Sequence, residues 1–153
     1  MDLRAKLQAS IKEAMKAKDS TRLSTLRLIA AAVKDREIAQ RGGDSTGELT
    51  DADLMAILSR MVKQRQESAK AYEEGGRLEL AQNEVDEIEI IQEFLPRQLD
   101  EAETATAIDE VIGELGADSI RDMGRVMAAL RERFAGQMDF GAVGPMVKSR
   151  LLN

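Results

Sequence analysis

The chain has 153 residues, of which 43% are apolar, 33% charged and 3% aromatic, and its formal net charge is −6 at neutral pH. It contains no histidine and no cysteine, which excludes Ser-His-Asp and Cys-His nucleophile pairs, disulfides and Cys/His zinc sites. With so few aromatics the core must come from Leu, Ile, Val, Ala and Met, a set that suits helices packed on helices better than sheets.

In chain order, Leu3, Leu7, Ile11 and Met15 are spaced four apart and predict a first helix with one apolar face. Asp19-Ser20 stops it and caps a second helix, which carries Leu23, Leu26, Ile29 or Ala30, Val33 and Ile38 to about Arg41. "GGDSTG", residues 42–47, reads as a loop. A third helix follows, with Thr50 as N-cap, Asp53 three residues on, and a Leu49–Leu54 hydrophobic staple. Leu54, Ile57, Leu58, Met61 and Val62 form its buried stripe, and Gly75-Gly76 ends it. A fourth helix, from about Arg77 to Phe94, buries Ala81, Val85, Ile88, Ile91 and Leu95.

Pro96 has no N–H to donate and disfavours helical geometry at Leu95. Asp100 then offers a fresh cap, with Glu103 placed to reach back, so Pro96 reads as a joint between two modules. Beyond it a fifth helix buries Ala105, Ile108, Val111, Ile112 and Leu115 and ends at Gly116. A sixth starts near Ser119 and carries Met123, Val126 or Met127, Leu130 and Phe134. The last starts near Asp139, or at Pro145 acting as the first helical residue, and carries Val143, Val147 and Leu151. No stretch keeps a period of two. The expected fold is all-α: a four-helix N-terminal domain, residues 1–95, and a small three-helix C-terminal bundle, residues 96–153.

Charge is distributed unevenly. Residues 1–41 hold ten Lys/Arg against five Asp/Glu, and residues 42–95 hold five against thirteen. Such runs usually are solvated helix faces. The sharper reading is a phosphate-binding patch of Lys63, Arg65, Lys70 and Arg77. Glu84, Asp86 and Glu87 have the right chemistry for magnesium, but an acidic surface helix is the far simpler account of them. No Gly-rich phosphate loop is present, and neither metal nor cofactor is expected. Met123, Met127, Met138 and Met146 read first as core filler and second as an adaptable partner groove. "MDLRAKLQAS" has no apolar h-region, and the longest apolar run, Leu28 to Val33, is too short to span a bilayer; the expectation is a cytoplasmic protein without membrane contact.

Two stretches carry more than generic helix. "VKQRQESAKAYEEGGRLELAQNEVDEIEIIQEFLPRQLDEAE", from Val62 to Glu103, and "DMGRVMAALRERFAGQMDFGAVGPMVKSRL", from Asp122 to Leu151, together resemble the GatB/YqeY family, in its stand-alone YqeY-like form. That resemblance implies a helical domain followed by a small helical one, the pair that forms the tail of the B subunit of tRNA-dependent amidotransferase. It also implies tRNA, or a tRNA-handling enzyme, as partner. Its motifs place Gly124, Arg125 and Lys148 as candidate RNA-binding residues, and the excess of bases from Asp118 onward adds Arg121 and Arg150. The expected function is a non-catalytic tRNA-binding or adaptor module. The alternatives are a component of a glutamine-dependent carbon–nitrogen ligase, which the missing glutaminase and ATP-site residues oppose, and a protein-binding scaffold using the Met-rich second unit.

Overall fold

A computed structural model describes residues 2–41 and 49–152. The protein is all-helical: among the described residues there are seven α-helices and one 3-10 turn, and no strand. The 42–47 loop expectation lies outside the described residues. Helices α1 (Leu3–Ala17), α2 (Ser20–Arg41), α3 (Asp51–Glu74) and α4 (Leu78–Gln92) belong to a first compact unit, Met1–Pro96. The second, Arg97–Asn153, holds α5 (Glu101–Leu115), the 3-10 turn Ile120–Asp122, α6 (Met123–Arg133) and α7 (Phe140–Leu152).

The helix ends follow local chemistry. The Asp2 carboxylate accepts the Ala5 N–H at 2.7 Å, and Asp19 accepts that of Arg22 at 3.1 Å. Thr50 and Asp53 form a reciprocal capping box at the start of α3, as do Asp100 and Glu103 at the start of α5. Each box satisfies two N–H groups that the helix leaves without acceptors. Gly116 closes α5 in the left-handed region, φ 62°, where a glycine pays no Cβ penalty.

In the first unit Leu26, Ile29 and Val33 of α2 meet Leu54, Leu58 and Met61 of α3, with Ile91 and Phe94 from the end of α4. Two cations fasten that end: Arg22 forks onto Glu93 at 2.6 and 3.2 Å, and Lys6 donates to the Glu93 carbonyl at 2.7 Å and sits over the Phe94 ring; Arg4 on α1 pairs with Glu37 on α2. The hydrogen bond to Glu93 raises the Arg22 pKa above its ordinary value. In the second unit Ile108 and Val111 of α5, Val126 and Leu130 of α6 and Val143 and Val147 of α7 make a core that is at most 2% exposed. Its entry segment is pinned to the turn after α6 by Leu99 N–H to the Gln137 carbonyl (3.0 Å), Gln137 to the Arg97 carbonyl (3.0 Å) and Gln98 to the Gly136 carbonyl.

Two expectations need correction, and one alternative is decided. Met15 is 53% exposed and Ala14 is buried in its place. A strict four-residue spacing drifts by about 40° per step around a helix of 3.6 residues per turn, so the series Leu3, Leu7, Ile11, Met15 winds off the core before it ends. Ile38 is 54% exposed, because the line through Leu26, Ile29 and Val33 continues to Glu37 and Gln40 instead. Of the two starts expected for the last helix, near Asp139 or at Pro145, α7 takes the first and begins at Phe140. The clash that usually keeps the residue before proline out of a helix involves its Cβ; Gly144 has none, and the fully packed Val143 and Val147 hold the helix through the lost hydrogen bond.

Candidate nucleic-acid interface

On α3, the side chain of Arg65 is 15% exposed; its Nε donates to Glu87 at 3.0 Å and its Nη1 to the Met61 carbonyl at 3.1 Å. It ties α3 to α4 and is spent on that. Lys63 and Lys70 are exposed on the same helix, but Glu67, Glu73 and Glu74 stand among them, an alternation typical of a solvated face. Arg77 is exposed at the N-cap of α4, without a side-chain cap bond. The four residues expected to form one phosphate patch are thus one half-buried strut and three cations interleaved with acids. Of the carboxylates considered for magnesium, Glu87 is held by Arg65 and Asp86 accepts from Gln82 at 2.8 Å. Among the described residues no cluster of three or more carboxylates is placed to hold a metal ion.

The second unit is different. Asp122, in the D-M-G stretch, organises the turn before α6. One oxygen accepts the N–H groups of Asp118 (3.1 Å) and Ser119 (3.4 Å), and the other takes Arg125 at 2.9 Å. These bonds, the Asp118 N–H first and the Arg125 guanidinium second, hold the Asp122 carboxyl below the usual carboxylate range. Arg125 is thereby half committed to the fold. Arg150 is committed too, to Asp109 at 2.6 Å, as is Arg133 to Glu114. Arg121 and Lys148 are exposed, and no ion pair or side-chain hydrogen bond engages either among the described residues.

These two cations lie on elements that pack together. Helix α7 packs on the 3-10 turn that carries Arg121; Gly144 lies where a Cβ would meet the Met123 Cε at 3.9 Å, and Lys148 follows Gly144 by one turn. Gly124, also exposed, has nothing within 4 Å of its would-be Cβ. Close packing against a neighbouring helix of the unit therefore does not explain this glycine. The methionines serve the core: Met127 and Met138 are buried, and Met123 and Met146, half-buried, pack against the same core. In the first unit a cavity of about 20 Å³, lined by Leu3, Arg4, Leu7, Ile29, Val33, Leu54, Leu58 and Phe94, has room for about one water and is a packing void.

The excess of bases in residues 1–41 was legible, but the sequence singled out none of the cations of α1 and α2 as a site. Lys12, Lys16, Arg27, Lys34 and Arg36 are all exposed, with no ion pair among the described residues. The signal was available, since Arg27, Lys34 and Arg41 recur at intervals of seven.

Fold and surface together define a two-unit helical protein whose polar groups are struts, caps and free surface cations. The chain belongs to the YqeY-like protein family, whose sequence model matches residues 4–151. It is 30% identical over 151 residues to the Clavispora lusitaniae protein named altered inheritance of mitochondria protein 41, mitochondrial, covering 96% of this chain and 84% of that one. The Lachancea thermotolerans protein of the same name is 32% identical over 117 residues, 75% of this chain and 60% of that one. A Schizosaccharomyces pombe protein, uncharacterized protein C22F3.15, is 26% identical over 95 residues, 62% of this chain and 73% of that one. These names overturn the cytoplasmic expectation, because the similar proteins from Clavispora and Lachancea are mitochondrial. The inference failed because an absent h-region bears on secretory export alone; mitochondrial transit segments are amphipathic and Arg-rich. No described helix is long and apolar enough to cross a membrane.

Proposed function

We propose that the protein is a non-catalytic RNA-binding module that holds tRNA through the second unit, at the edge where α7 meets the turn before α6. The observation that carries this reading is the pair Arg121 and Lys148. They are exposed cations that no ion pair or side-chain hydrogen bond engages among the described residues, they lie on elements that pack together, and Gly124, at the start of α6, has open space over its backbone. Free cations release counterions when they meet phosphates, whereas Arg125 and Arg150 must first part from Asp122 and Asp109. A bare glycine backbone lets a ribose-phosphate chain come closer than any side chain would permit.

The test is filter binding of bulk tRNA to the full chain across a salt series. Arg121→Glu with Lys148→Glu is expected to reduce retention at low salt at least tenfold. It is also expected to flatten the salt dependence by about one and a half to two counterions. Unchanged retention, with helix content intact by circular dichroism, refutes the reading.

A further inference from the structure

The residues Ser20, Ser24, Arg27, Ala31, Lys34, Ile38 and Arg41 of α2 are all exposed. Their spacing of four, three, four, three, four, three keeps them on one line along the helix. That line contains no acid. Arg27, Lys34 and Arg41 fall at intervals of seven, about 10.5 Å apart, with small or neutral residues between them. The apolar side of α2 (Leu26, Ile29 and Val33) is turned into the core. Beside it, α1 runs antiparallel in a register marked by the Arg4–Glu37 pair, and contributes the exposed Lys12 and Lys16. This hairpin holds ten cations against five acids. Arg4, Lys6 and Arg22 are engaged within the fold, while no partner reaches Arg27 or Lys34 among the described residues.

We infer that this line on α2, flanked by Lys12 and Lys16 of α1, is a second nucleic-acid contact and takes the phosphate backbone of a double-stranded segment of RNA. The inference rests on the reading of the protein as an RNA-binding module and adds a surface which that reading did not use. Three considerations select the ligand. A straight row of cations over about 21 Å matches a rigid, evenly charged duplex. Single-stranded RNA is gripped by stacking bases on exposed aromatic rings, and here the four aromatics, Tyr72, Phe94, Phe134 and Phe140, are all buried or half-buried. A membrane surface asks for a broad apolar face with flanking cations, whereas along this line Ile38 is the one large apolar side chain. Duplex RNA is read mainly through its backbone, so no sequence preference is expected at this surface.

The experiment compares the full chain, the variant Arg27→Gln with Lys34→Gln, and the variant Arg121→Glu with Lys148→Glu. The probes are a blunt RNA duplex, one of its strands alone, bulk tRNA, and vesicles containing phosphatidylserine. Expected is duplex binding that weakens at least tenfold at low salt in the α2 variant, with the salt slope reduced by about 1.4 to 1.8, and single-strand binding that is weaker throughout. Full duplex and tRNA affinity in the α2 variant overturns this inference; if the Arg121 variant still loses tRNA, the earlier reading survives it. Loss in the α2 variant with no loss in the Arg121 variant supports the surface on α2 and refutes the site in the second unit. Equal affinity for the single strand, or vesicle binding that fails in the same variant, overturns the assignment to duplex RNA. No retention of any RNA by the unmodified chain overturns both.

Discussion

Replacing Arg65 by methionine separates a strut from a ligand contact. The side chain is 15% exposed, and Glu87, its partner across α3 and α4, is 29% exposed. Solvent-exposed pairs are worth about 0.2–1 kcal/mol, and removing one member of a fully buried pair costs about 3–5 kcal/mol. This pair lies between those limits. Methionine keeps most of the apolar stem, so packing loss is small and the expected cost is about 1–2 kcal/mol. The bond from Nη1 to the Met61 carbonyl also goes, but that carbonyl already sits in a helix. Urea denaturation followed by far-UV circular dichroism measures the cost. A double-mutant cycle with Glu87→Gln should return a coupling of roughly 1 kcal/mol. Retention of tRNA by the folded variant should match that of the unmodified chain. A variant that loses tRNA while keeping its denaturation midpoint, or a coupling near zero, would refute the strut and return Arg65 to the phosphate contacts.

Leu130, fully buried in the second unit, should cost about 2–5 kcal/mol when changed to alanine. A bundle of three short helices has little to spare, so amide exchange in α5–α7 should accelerate sharply; protection left unchanged would contradict the packing described. The Glu103 carboxyl is held down to about 2, first by the Arg97 fork at 2.9 and 2.7 Å and then by the Asp100 N–H. Because the folded value lies below the ordinary one, its contribution is complete above about pH 4.5 and fades as pH falls toward 2. A carboxyl carbon NMR titration should place its midpoint near 2, and Arg97→Gln should raise it; an ordinary midpoint in the unmodified protein would contradict the pairing. Gly124→Ala, in open space at the start of α6, should stabilise the chain by about 0.4–1 kcal/mol yet weaken tRNA binding. Stabilisation without any change in binding would remove the glycine from the interface.

The helix ends were legible in the residues because a cap is a local contract. Thr50 with Asp53, and Asp100 with Glu103, act across three positions, and nothing distant alters them. The break near Pro96 and the all-helical class are legible for the same reason: proline geometry and apolar periodicity operate over a turn or two. Core positions were legible except where a four-residue series was followed too far, at Met15, where an apolar residue lay off the line, at Ile38, and at Val85 and Ala105, which are half-buried and outside both cores, Ala107 being the buried alanine of α5.

The roles of the cations were not legible. Arg65 looks the same in the chain as Lys70, and Arg150 the same as Lys148. What distinguishes them is a carboxylate 22 residues away in one case and 41 in the other. A side chain reaches its partner only after the helices have packed, and packing depends on how every apolar face of the unit fits the others at once. Composition and spacing therefore determine that this protein is helical, capped and poor in reactive groups. Which of its charges brace the fold and which are left over for a ligand is set by helix packing, because ion pairs act across distances in space that the order of residues does not record.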